Sequence, residues 1–348
     1  MTSALLRWFQ ENGRELPWRG TKDPYAVWLS EIILQQTQVR QGWDYWERFM
    51  RRWPTVEALA AATEDEVLCE WQGLGYYSRA RNLHTAAKQV VERGGFPNTV
   101  EGLRQLKGVG DYTAAAIGSI AFGLPAAVVD GNVYRVLSRH FGIATPINTT
   151  KGKKEFAALA QSLAPSYLPQ LGEAFEISLD EETSPSWGSM VGAYNQAIMD
   201  FGAIQCTPTS PKCGQCPLQE SCVAYREGRI AELPVKLRTL KVKERRLTYV
   251  YIRCQGTTAI HRRGVGDIWQ GLYEPWLTAE PVQGAVLLRR NVKHVLTHRV
   301  IYADFYLLET DERPTLPPDY IWVKEENLGD YGVPRLIEKM FNEIYRKK

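Results

Sequence analysis

The sequence lacks a long apolar run. No stretch of about 18 consecutive apolar residues occurs, which is the length that a membrane-spanning helix needs. The segment from Met1 to Trp18 has neither an apolar core nor a small-residue cleavage site, so it does not resemble a secretory signal. We therefore expect a cytoplasmic location and no membrane partner. In that reducing location the six cysteines would be thiols or metal ligands.

A strong charge imbalance is also absent. The formal net charge is +3 and the pI is about 8.4, so any basic surface for a nucleic acid must be local. The chain has 348 residues, of which 44% are hydrophobic and 23% are charged. This composition excludes a disordered chain and a disulfide-stapled miniprotein, and the length favours about two domains.

The spacing of apolar residues divides the chain into three parts. Residues 1–224 show helical spacing and predict a helical domain. Residues 225–246 are rich in basic side chains and predict an exposed linker. Residues 247–348 change to a period of two and predict a small α+β domain. The acidic segment 168–188 fits neither pattern, and we interpret it as a solvated insertion.

Four cysteines predict a metal centre near the end of the helical domain. Cys206, Cys213, Cys216 and Cys222 follow the spacing C-x6-C-x2-C-x5-C in a segment rich in proline and glycine. Four thiolates this close can surround one soft metal centre. One C-x2-C pair flanked by more distant cysteines favours a [4Fe-4S] cluster, whereas structural zinc sites usually have two closely spaced cysteine pairs. Zinc remains the alternative at this stage.

Glu31 lies in a stretch with almost no polar face. Apolar residues point in nearly every direction around the predicted helix, which is typical of an interior helix. Gln35 and Gln38 share the predicted stripe of Glu31 and bring no cation. Desolvation without a counter-charge raises the pKa of a carboxyl group, so Glu31 could deliver a proton near neutral pH. The alternative is a surface glutamate at the edge of a crevice.

Asp130 has a different predicted environment. It directly precedes a helix that begins at Gly131, and an N-cap aspartate accepts backbone N–H bonds at the positive end of the helix dipole. We expect this to lower the pKa of Asp130 and keep it ionised, although such a residue is usually only a cap. One carboxyl group that resists ionisation beside one that stays charged is the arrangement used to cleave glycosidic bonds.

A glycine turn is predicted between two helices. Gly108, Val109 and Gly110 separate a short helix from an alanine-rich one. Glycines let the backbone approach a phosphate closely, and the following helix presents free N–H groups. We interpret the turn as a candidate DNA phosphate contact, with an ordinary helix–helix turn as the alternative.

Together these residues resemble the helix-hairpin-helix DNA glycosylases, and specifically the adenine DNA glycosylase (MutY) family. The motifs that carry the resemblance span the helical domain in the family's order. They are Leu16-Pro17-Trp18-Arg19, Ser30-Glu31-Ile32-Ile33-Leu34-Gln35-Gln36-Thr37-Gln38-Val39, Gly73-Leu74-Gly75-Tyr76-Tyr77-Ser78-Arg79-Ala80-Arg81-Asn82-Leu83, Leu106-Lys107-Gly108-Val109-Gly110, Val129-Asp130-Gly131-Asn132-Val133, Asn195-Gln196-Ala197 and the four cysteines.

The resemblance implies a role for each catalytic candidate. Glu31 would protonate adenine, and Asp130 would stabilise or briefly trap the sugar cation. Asn132 would orient Asp130 or the water. Tyr112 stands where bifunctional relatives have a lysine, so it would support the site without forming a Schiff base.

The resemblance also implies the contacts to DNA. Trp18, Arg19 and Gln196 would line the pocket for the flipped adenine. Gln36 and Tyr76 would wedge into the duplex and fill the space that the extruded base leaves.

The last domain resembles the Nudix-type module with which these enzymes read 8-oxoguanine. The Nudix catalytic box is missing, so this module would bind rather than hydrolyse phosphates. The family's Phe-Ser-His loop is here Leu296-Thr297-His298, which makes Thr297 and His298 the candidate readers of the opposite base.

The resemblance therefore implies a monomeric, monofunctional enzyme with a [4Fe-4S] cluster. It would remove adenine opposite 8-oxoguanine or guanine in double-stranded DNA, in base excision repair. Two alternatives remain open at this stage. One is an endonuclease III-like glycosylase and lyase acting on damaged pyrimidines, and the other is a non-catalytic iron–sulfur DNA-binding protein.

Overall fold

The computed structural model describes residues 1–165, 189–237 and 242–345. The predicted acidic insertion, residues 168–188, lies outside the described residues. Within the described residues, no helix is both long and apolar enough to cross a bilayer.

The N-terminal two thirds of the described chain is helical, as predicted. The α-helices are α1 (Thr2–Asn12), α2 (Pro24–Leu34), α3 (Val39–Arg52), α4 (Val56–Ala61), α5 (Glu64–Glu70), α6 (Ser78–Glu92), α7 (Val100–Arg104), α8 (Asp111–Ala121), α9 (Gly131–Phe141), α10 (Thr150–Leu163), α11 (Met190–Asp200) and α12 (Val223–Arg226). A π-helical turn (Phe201–Gln205) follows α11, and a 3₁₀ turn (Cys213–Gln215) lies in the cysteine loop.

The C-terminal part contains two sheets and a closing helix, which confirms the α+β prediction. Its strands are β1 (Lys243–Arg253), β2 (Thr257–Arg262), β3 (Tyr273–Glu274), β4 (Trp276–Thr278), β5 (Val286–Val295), β6 (Arg299–Glu309) and β7 (Tyr320–Lys324), and its last helix is α13 (Arg335–Tyr345). One sheet has the order β4-β1-β6-β5 and the other the order β3-β2-β7. β1 and β6 run parallel, whereas the other pairs are antiparallel.

Local signals explain where the helices of the site begin. Asp23 caps α2 through the backbone N–H of Tyr25, and Pro24 occupies the first helical position, where its missing N–H costs nothing. Asp130 caps α9 as predicted, because its side chain accepts from the backbone N–H groups of Asn132 and Val133. α2 packs against α8, and α11 packs against α1, α8 and α9. The faces of these helices therefore meet around one interior.

The predicted basic linker ends earlier than residue 246. Lys243, Arg245 and Arg246 lie in β1, so their assignment to an exposed linker is wrong. The structure gives the two arginines partners that the sequence does not reveal. Arg245 forms an ion pair with Asp267 at 2.6 Å, and Arg246 lies over the ring of Tyr302.

The chain divides by contacts into two compact units. The first comprises Met1–Met50, Thr55–Glu57 and Ala86–Arg238, and the second comprises Arg51–Pro54, Ala58–Thr85 and Thr239–Lys348. The periodicity of the sequence does not show that residues 58–85 group with the C-terminal residues.

Four contacts illustrate this grouping within the second unit. Arg262 forms ion pairs with Glu64 and Asp65 at 3.0 and 2.8 Å. Arg81 donates to the carbonyl oxygen of Gln270 at 2.6 Å. The hydroxyl of Tyr77 donates to the carbonyl oxygen of Val333 at 3.4 Å.

Candidate active site

A cleft in the first unit has a volume of about 930 Å³. Nucleotide-sized ligands fit clefts of this order. Its lining includes all the predicted catalytic and adenine-pocket residues and one predicted wedge residue: Trp18, Arg19, Glu31, Tyr112, Asp130, Asn132 and Gln196, with Gln36. Residues about 180 positions apart in the chain, such as Trp18 and Gln196, therefore share one cleft.

Glu31 projects from α2 into this cleft and is only 9% exposed. One of its carboxylate oxygens, Oε2, accepts a hydrogen bond of 2.7 Å from the hydroxyl of Tyr112. Burial raises the pKa of Glu31 to about 7, and the charge of Asp130 adds to the rise. The bond from Tyr112 and the charge of Arg19 oppose this rise without cancelling it. Glu31 can therefore carry a proton near neutral pH.

The predicted helical stripe beyond Glu31 is wrong in one respect. α2 ends at Leu34, so Gln35 and Gln38 do not continue it. Both still line the cleft. The sequence pattern also did not reveal the cation that acts on Glu31, which is Arg19.

Asp130 is tightly held at the start of α9. Its Oδ1 accepts from the backbone N–H groups of Asn132 and Val133 at 2.9 and 2.8 Å, and its Oδ2 accepts from the Asn132 amide at 2.8 Å. The expectation of a lowered pKa is wrong, because burial raises the pKa of Asp130. These hydrogen bonds and the charge of Arg135 oppose the rise but are outweighed by desolvation.

Arg135 ties this carboxylate to the cysteine loop. Its Nη2 donates to the Asn132 side-chain oxygen and to the Gly202 carbonyl oxygen, both at 2.7 Å, and its Nε donates to the Cys206 carbonyl oxygen at 2.7 Å. One guanidinium group thus connects the cap of α9, the π-helical turn and the first cysteine. Such a planar fork suits several fixed acceptors at once.

The pocket residues differ in how they are held. Trp18 is 7% exposed and meets the rings of Trp43 and Trp46 edge-on at 6.0 and 5.7 Å. The guanidinium of Arg19 pairs with Asp200, which is completely buried. Gln196 is 2% exposed, and neither atom of its amide has a hydrogen-bond partner among the described residues. A buried amide without partners costs free energy unless a ligand supplies them.

Two predicted wedge residues adopt an unusual backbone conformation. Gln36 and Tyr76 are exposed and have positive φ angles of 55° and 46°. Non-glycine residues rarely adopt this left-handed region, and such strain concentrates at functional sites. Gln36 borders the cleft of the first unit, whereas Tyr76 belongs to the second unit.

The candidate readers of the opposite base lie on the turn between β5 and β6, in the second unit. Thr297 and His298 are both exposed, and the backbone N–H of Leu296 closes the turn onto the Arg299 carbonyl oxygen at 2.8 Å. The hydroxyl groups of Tyr76 and Thr297 are hydrogen-bonded at 2.7 Å. Tyr76, a predicted wedge residue, therefore lies directly beside Thr297, a candidate reader.

The glycine turn lies between α7 and α8. Gly108 has a φ of 78°, a conformation that a side chain would strain, and Gly110 is the N-cap of α8. A Cβ added at Gly110 would meet open space. Val109 is buried beneath the turn and anchors it. The contact of this turn with a phosphate stays a prediction.

Comparisons with known proteins agree with this geometry. The profile of the HhH-GPD superfamily base excision DNA repair proteins matches residues 29–165, and a NUDIX domain profile matches residues 248–343. An adenine DNA glycosylase of Buchnera aphidicola (subsp. Schizaphis graminum) is 34% identical over 99% of this chain and 98% of its own length. The chain belongs to the adenine DNA glycosylase family.

Two further proteins are similar to about two thirds of the chain. The adenine DNA glycosylase of Homo sapiens is 42% identical over 64% of this chain, and the match covers 38% of the human protein. The structure of a thermostable thymine-DNA glycosylase has a TM-score of 0.55 and 30% identity, and it covers 65% of this chain and 95% of its own. Members of the adenine DNA glycosylase family hydrolyse N-glycosyl bonds, so this chain is an enzyme of that type.

The cysteine loop carries the family's cofactor. The profile of the iron–sulfur binding domain of endonuclease III matches residues 206–222. Cys206, Cys213, Cys216 and Cys222 line one cavity, and none is buried completely. Among the described residues, no three His, Cys, Asp or Glu side chains converge on a single metal ion. Four cysteines lining one cavity within the matched iron–sulfur segment fit a [4Fe-4S] cluster, and these are the residues that would hold it.

Sequence reasoning missed two residues that hold the pocket. Asp200 is completely buried at the end of α11 and accepts from Arg14 and Arg19, whose charges together lower its pKa against the effect of burial. The sequence does contain a signal for Asp200, because it is a carboxylate in an apolar helix, as Glu31 is. Met199 was also missed, and its sulfur accepts a bond of 3.3 Å from the Tyr112 hydroxyl.

A Tyr112→Phe variant should shift the pH dependence of base release. In the native enzyme the single-turnover rate should fall as the pH rises through about 7, because Glu31 must be protonated. The bond from Tyr112 lowers the pKa of Glu31, so its loss should move this fall to higher pH. Tyr134→Phe, which alters a ring packed on Phe156, is the control. An unmoved pH profile in Tyr112→Phe would contradict this role.

A Gly202→Ala variant should disturb Asp130 indirectly. An added Cβ would lie 2.6 Å from the Cβ and 2.9 Å from the carbonyl oxygen of Asn132, so Asn132 must move. We expect the single-turnover rate to fall by about 10²-fold, as for comparable displacements of catalytic groups. Gly214→Ala, where the added Cβ meets open space, is the matched control. Wild-type activity in a folded, iron-replete Gly202→Ala protein would refute the argument.

Proposed function

We propose that this enzyme removes adenine mispaired with 8-oxoguanine or guanine from double-stranded DNA, in base excision repair, and leaves an abasic site. The observation that carries the proposal is the shared cleft of Glu31, Asp130 and Gln196, which supplies a proton, a carboxylate and an unpartnered amide to one ligand. The relatives from Buchnera aphidicola and Homo sapiens named above are adenine DNA glycosylases.

Adenine suits the free amide of Gln196. A glutamine side chain can pair with adenine through its N6 amino group and a neighbouring ring nitrogen, one bond in each direction. A buried amide that lacks both partners discriminates strongly against a ligand that cannot supply them. Trp18 offers an apolar wall for the extruded base beside this amide.

Glu31 and Asp130 divide the chemistry. Glu31 transfers its proton to a ring nitrogen of the flipped adenine, and the electron pair of the N-glycosidic bond leaves with the base. The deoxyribose becomes an oxocarbenium ion, which the Asp130 carboxylate stabilises. A buried carboxylate interacts more strongly with such a cation than a hydrated one does, because the local dielectric constant is low. Water then adds to the sugar carbon and returns a proton to Glu31.

Tyr112 determines what the enzyme does not do. A lyase needs an amine to attack the sugar carbon and form a Schiff base. At this position the chain has a phenol whose pKa is raised well above its usual value, mainly by burial and further by Glu31 and Asp130. It remains a neutral hydrogen-bond donor, so the proposal is base removal without strand cleavage. This argues against the endonuclease III-like alternative.

Tyr76 and Thr297 are proposed to read the base opposite adenine. 8-Oxoguanine carries a hydrogen-bond donor at N7, where guanine has only an acceptor. A pair of bonded hydroxyl groups on an exposed turn can accept from that donor. Thr297 stands where the family has a serine, and its additional methyl group does not remove the hydroxyl.

The activity is tested with a duplex that contains one adenine opposite 8-oxoguanine. We expect nicks at the adenine only after alkali treatment, since an abasic site breaks in alkali and an intact nucleotide does not. Glu31→Gln should abolish the nicks and retain DNA binding. Nicks without alkali would indicate a lyase. Binding without any nicks in the native enzyme would indicate a non-catalytic DNA-binding protein.

A Thr297→Val variant should weaken discrimination between opposite bases. Valine matches the shape of threonine but removes the hydroxyl that is bonded to Tyr76. One lost hydrogen bond is worth about 1 kcal/mol, so the rate preference for 8-oxoguanine over guanine should fall about fivefold. Thr310→Val, in another exposed turn of the same unit, is the control. An unchanged preference would remove Thr297 from this role.

A further inference from the structure

A second concave surface lies in the second unit, apart from every residue assigned a role above. It is a cavity of about 500 Å³ between β5 and α13. Its lining is Arg289, Arg290, Asn291, Val292, Lys293, Phe305, Lys339, Asn342 and Glu343. Four of these side chains are cationic and one is anionic.

A β-bulge brings the cations of β5 to this one cavity. Arg289 lies opposite Phe305 and Val292 lies opposite Ala303, so Arg290 and Asn291 together face the single residue Asp304. In a regular strand, neighbouring side chains such as Arg289 and Arg290 would point to opposite faces. The extra residue changes the direction of the side chains that follow it.

The bulge is held in place by specific bonds. Asn291 has a φ of 53°, which is unusual for a residue with a side chain. Its backbone N–H donates to the Asp304 carboxylate at 2.6 Å, and its side-chain oxygen accepts from Arg246 at 3.0 Å. A strained residue that its surroundings fix in this way is a feature of functional sites.

Most of the positive charge around the cavity is uncompensated. Glu343 forms an ion pair with Arg289. In the described part of the chain, no carboxylate lies within ion-pair distance of Arg290, Lys293 or Lys339. The neighbouring His294 is affected by the same positive charges. Its pKa is lowered by burial and then by Lys339 and Arg335. Clustered cations around a concave surface attract anions.

A simpler explanation for cations on β5 is protection of a sheet edge. β5 is the last strand of its sheet, and charged side chains on edge strands prevent aggregation. That explanation does not account for Lys339, which α13 brings to the same cavity, or for the bulge that collects both arginines there.

We propose that this cavity binds the phosphodiester backbone of duplex DNA beside the mispair. Arginine forks and lysine ammonium groups are the usual partners of phosphate oxygens. The inference rests on the proposed function, in which Thr297 meets the base opposite adenine. Lys293 is four residues from Thr297, which is at most about 13 Å of extended chain. The contacted phosphates therefore lie within about four nucleotides of that base.

The experiment compares the salt dependence of duplex binding in charge-neutralised variants. Arg290→Gln/Lys293→Gln removes two cavity charges from exposed positions. Arg313→Gln/Lys324→Gln is the matched control. It removes the same charge from positions in and beside β7, which belongs to the other sheet. Both are made in the Glu31→Gln enzyme, which keeps the adenine attached. Fluorescence anisotropy measures Kd for a duplex with adenine opposite 8-oxoguanine.

The cavity variant should bind about tenfold more weakly than the control near 0.1 M salt. The slope of log Kd against log salt concentration should fall by about 1 to 2, since each lost phosphate contact removes about one unit. With a duplex that ends at the mispair on either flank in turn, the difference between the variants should vanish for one of the two truncations.

Two outcomes would overturn the proposed phosphate contact, and a third would overturn the proposed function on which it rests. Equal slopes for cavity variant and control would show that the cations only protect the sheet edge. A deficit that persists with both truncated duplexes would show that no flanking phosphate is contacted. A native enzyme that binds the mispaired duplex but releases no adenine would instead remove the proposed function, and the slopes would still decide the fate of the cavity.

Discussion

The desolvation of one carboxyl group is the constraint on which the catalytic cleft depends. Glu31 stands on a helix whose other residues are almost all buried, so water cannot stabilise its charge. Its pKa near 7 follows from that position. The phenol of Tyr112 makes the burial tolerable, because it gives the carboxylate a partner without bringing a charge that would fix it in the ionised state. A lysine at the same place would change both the charge and the reaction.

The second carboxyl group shows how two opposing effects combine. The cap of α9 supplies Asp130 with three hydrogen bonds, and Arg135 adds a positive charge behind Asn132. Burial still dominates and raises the pKa of Asp130. In the proposed mechanism this carboxyl group is the one that faces the sugar cation. Arg135 also makes its geometry depend on the loop that holds the iron–sulfur cluster.

Much of the fold and of the site followed from local patterns. The buried setting of Glu31, the cap at Asp130 and the strand and helix regions could be predicted, since each depends on neighbours within a few residues. The pKa direction of Asp130 could not, because it depends on how deeply the assembled helices enclose the cap. The same reason explains the missed pairing of Asp200 with Arg19 and the start of β1 at Lys243, whose partners come from distant parts of the chain.

The grouping of residues 58–85 with the C-terminal sheets determines where the chain could be divided into fragments. A cut in the basic stretch before β1 would not release two self-sufficient halves. If the C-terminal residues were removed, Arg81 and Tyr77 would lose their acceptors and Asp65 would lose its donor. The segment from α4 to α6 would then be exposed to solvent. Any shortened form that retains only the helical part therefore exposes side chains whose partners belong to the C-terminal residues.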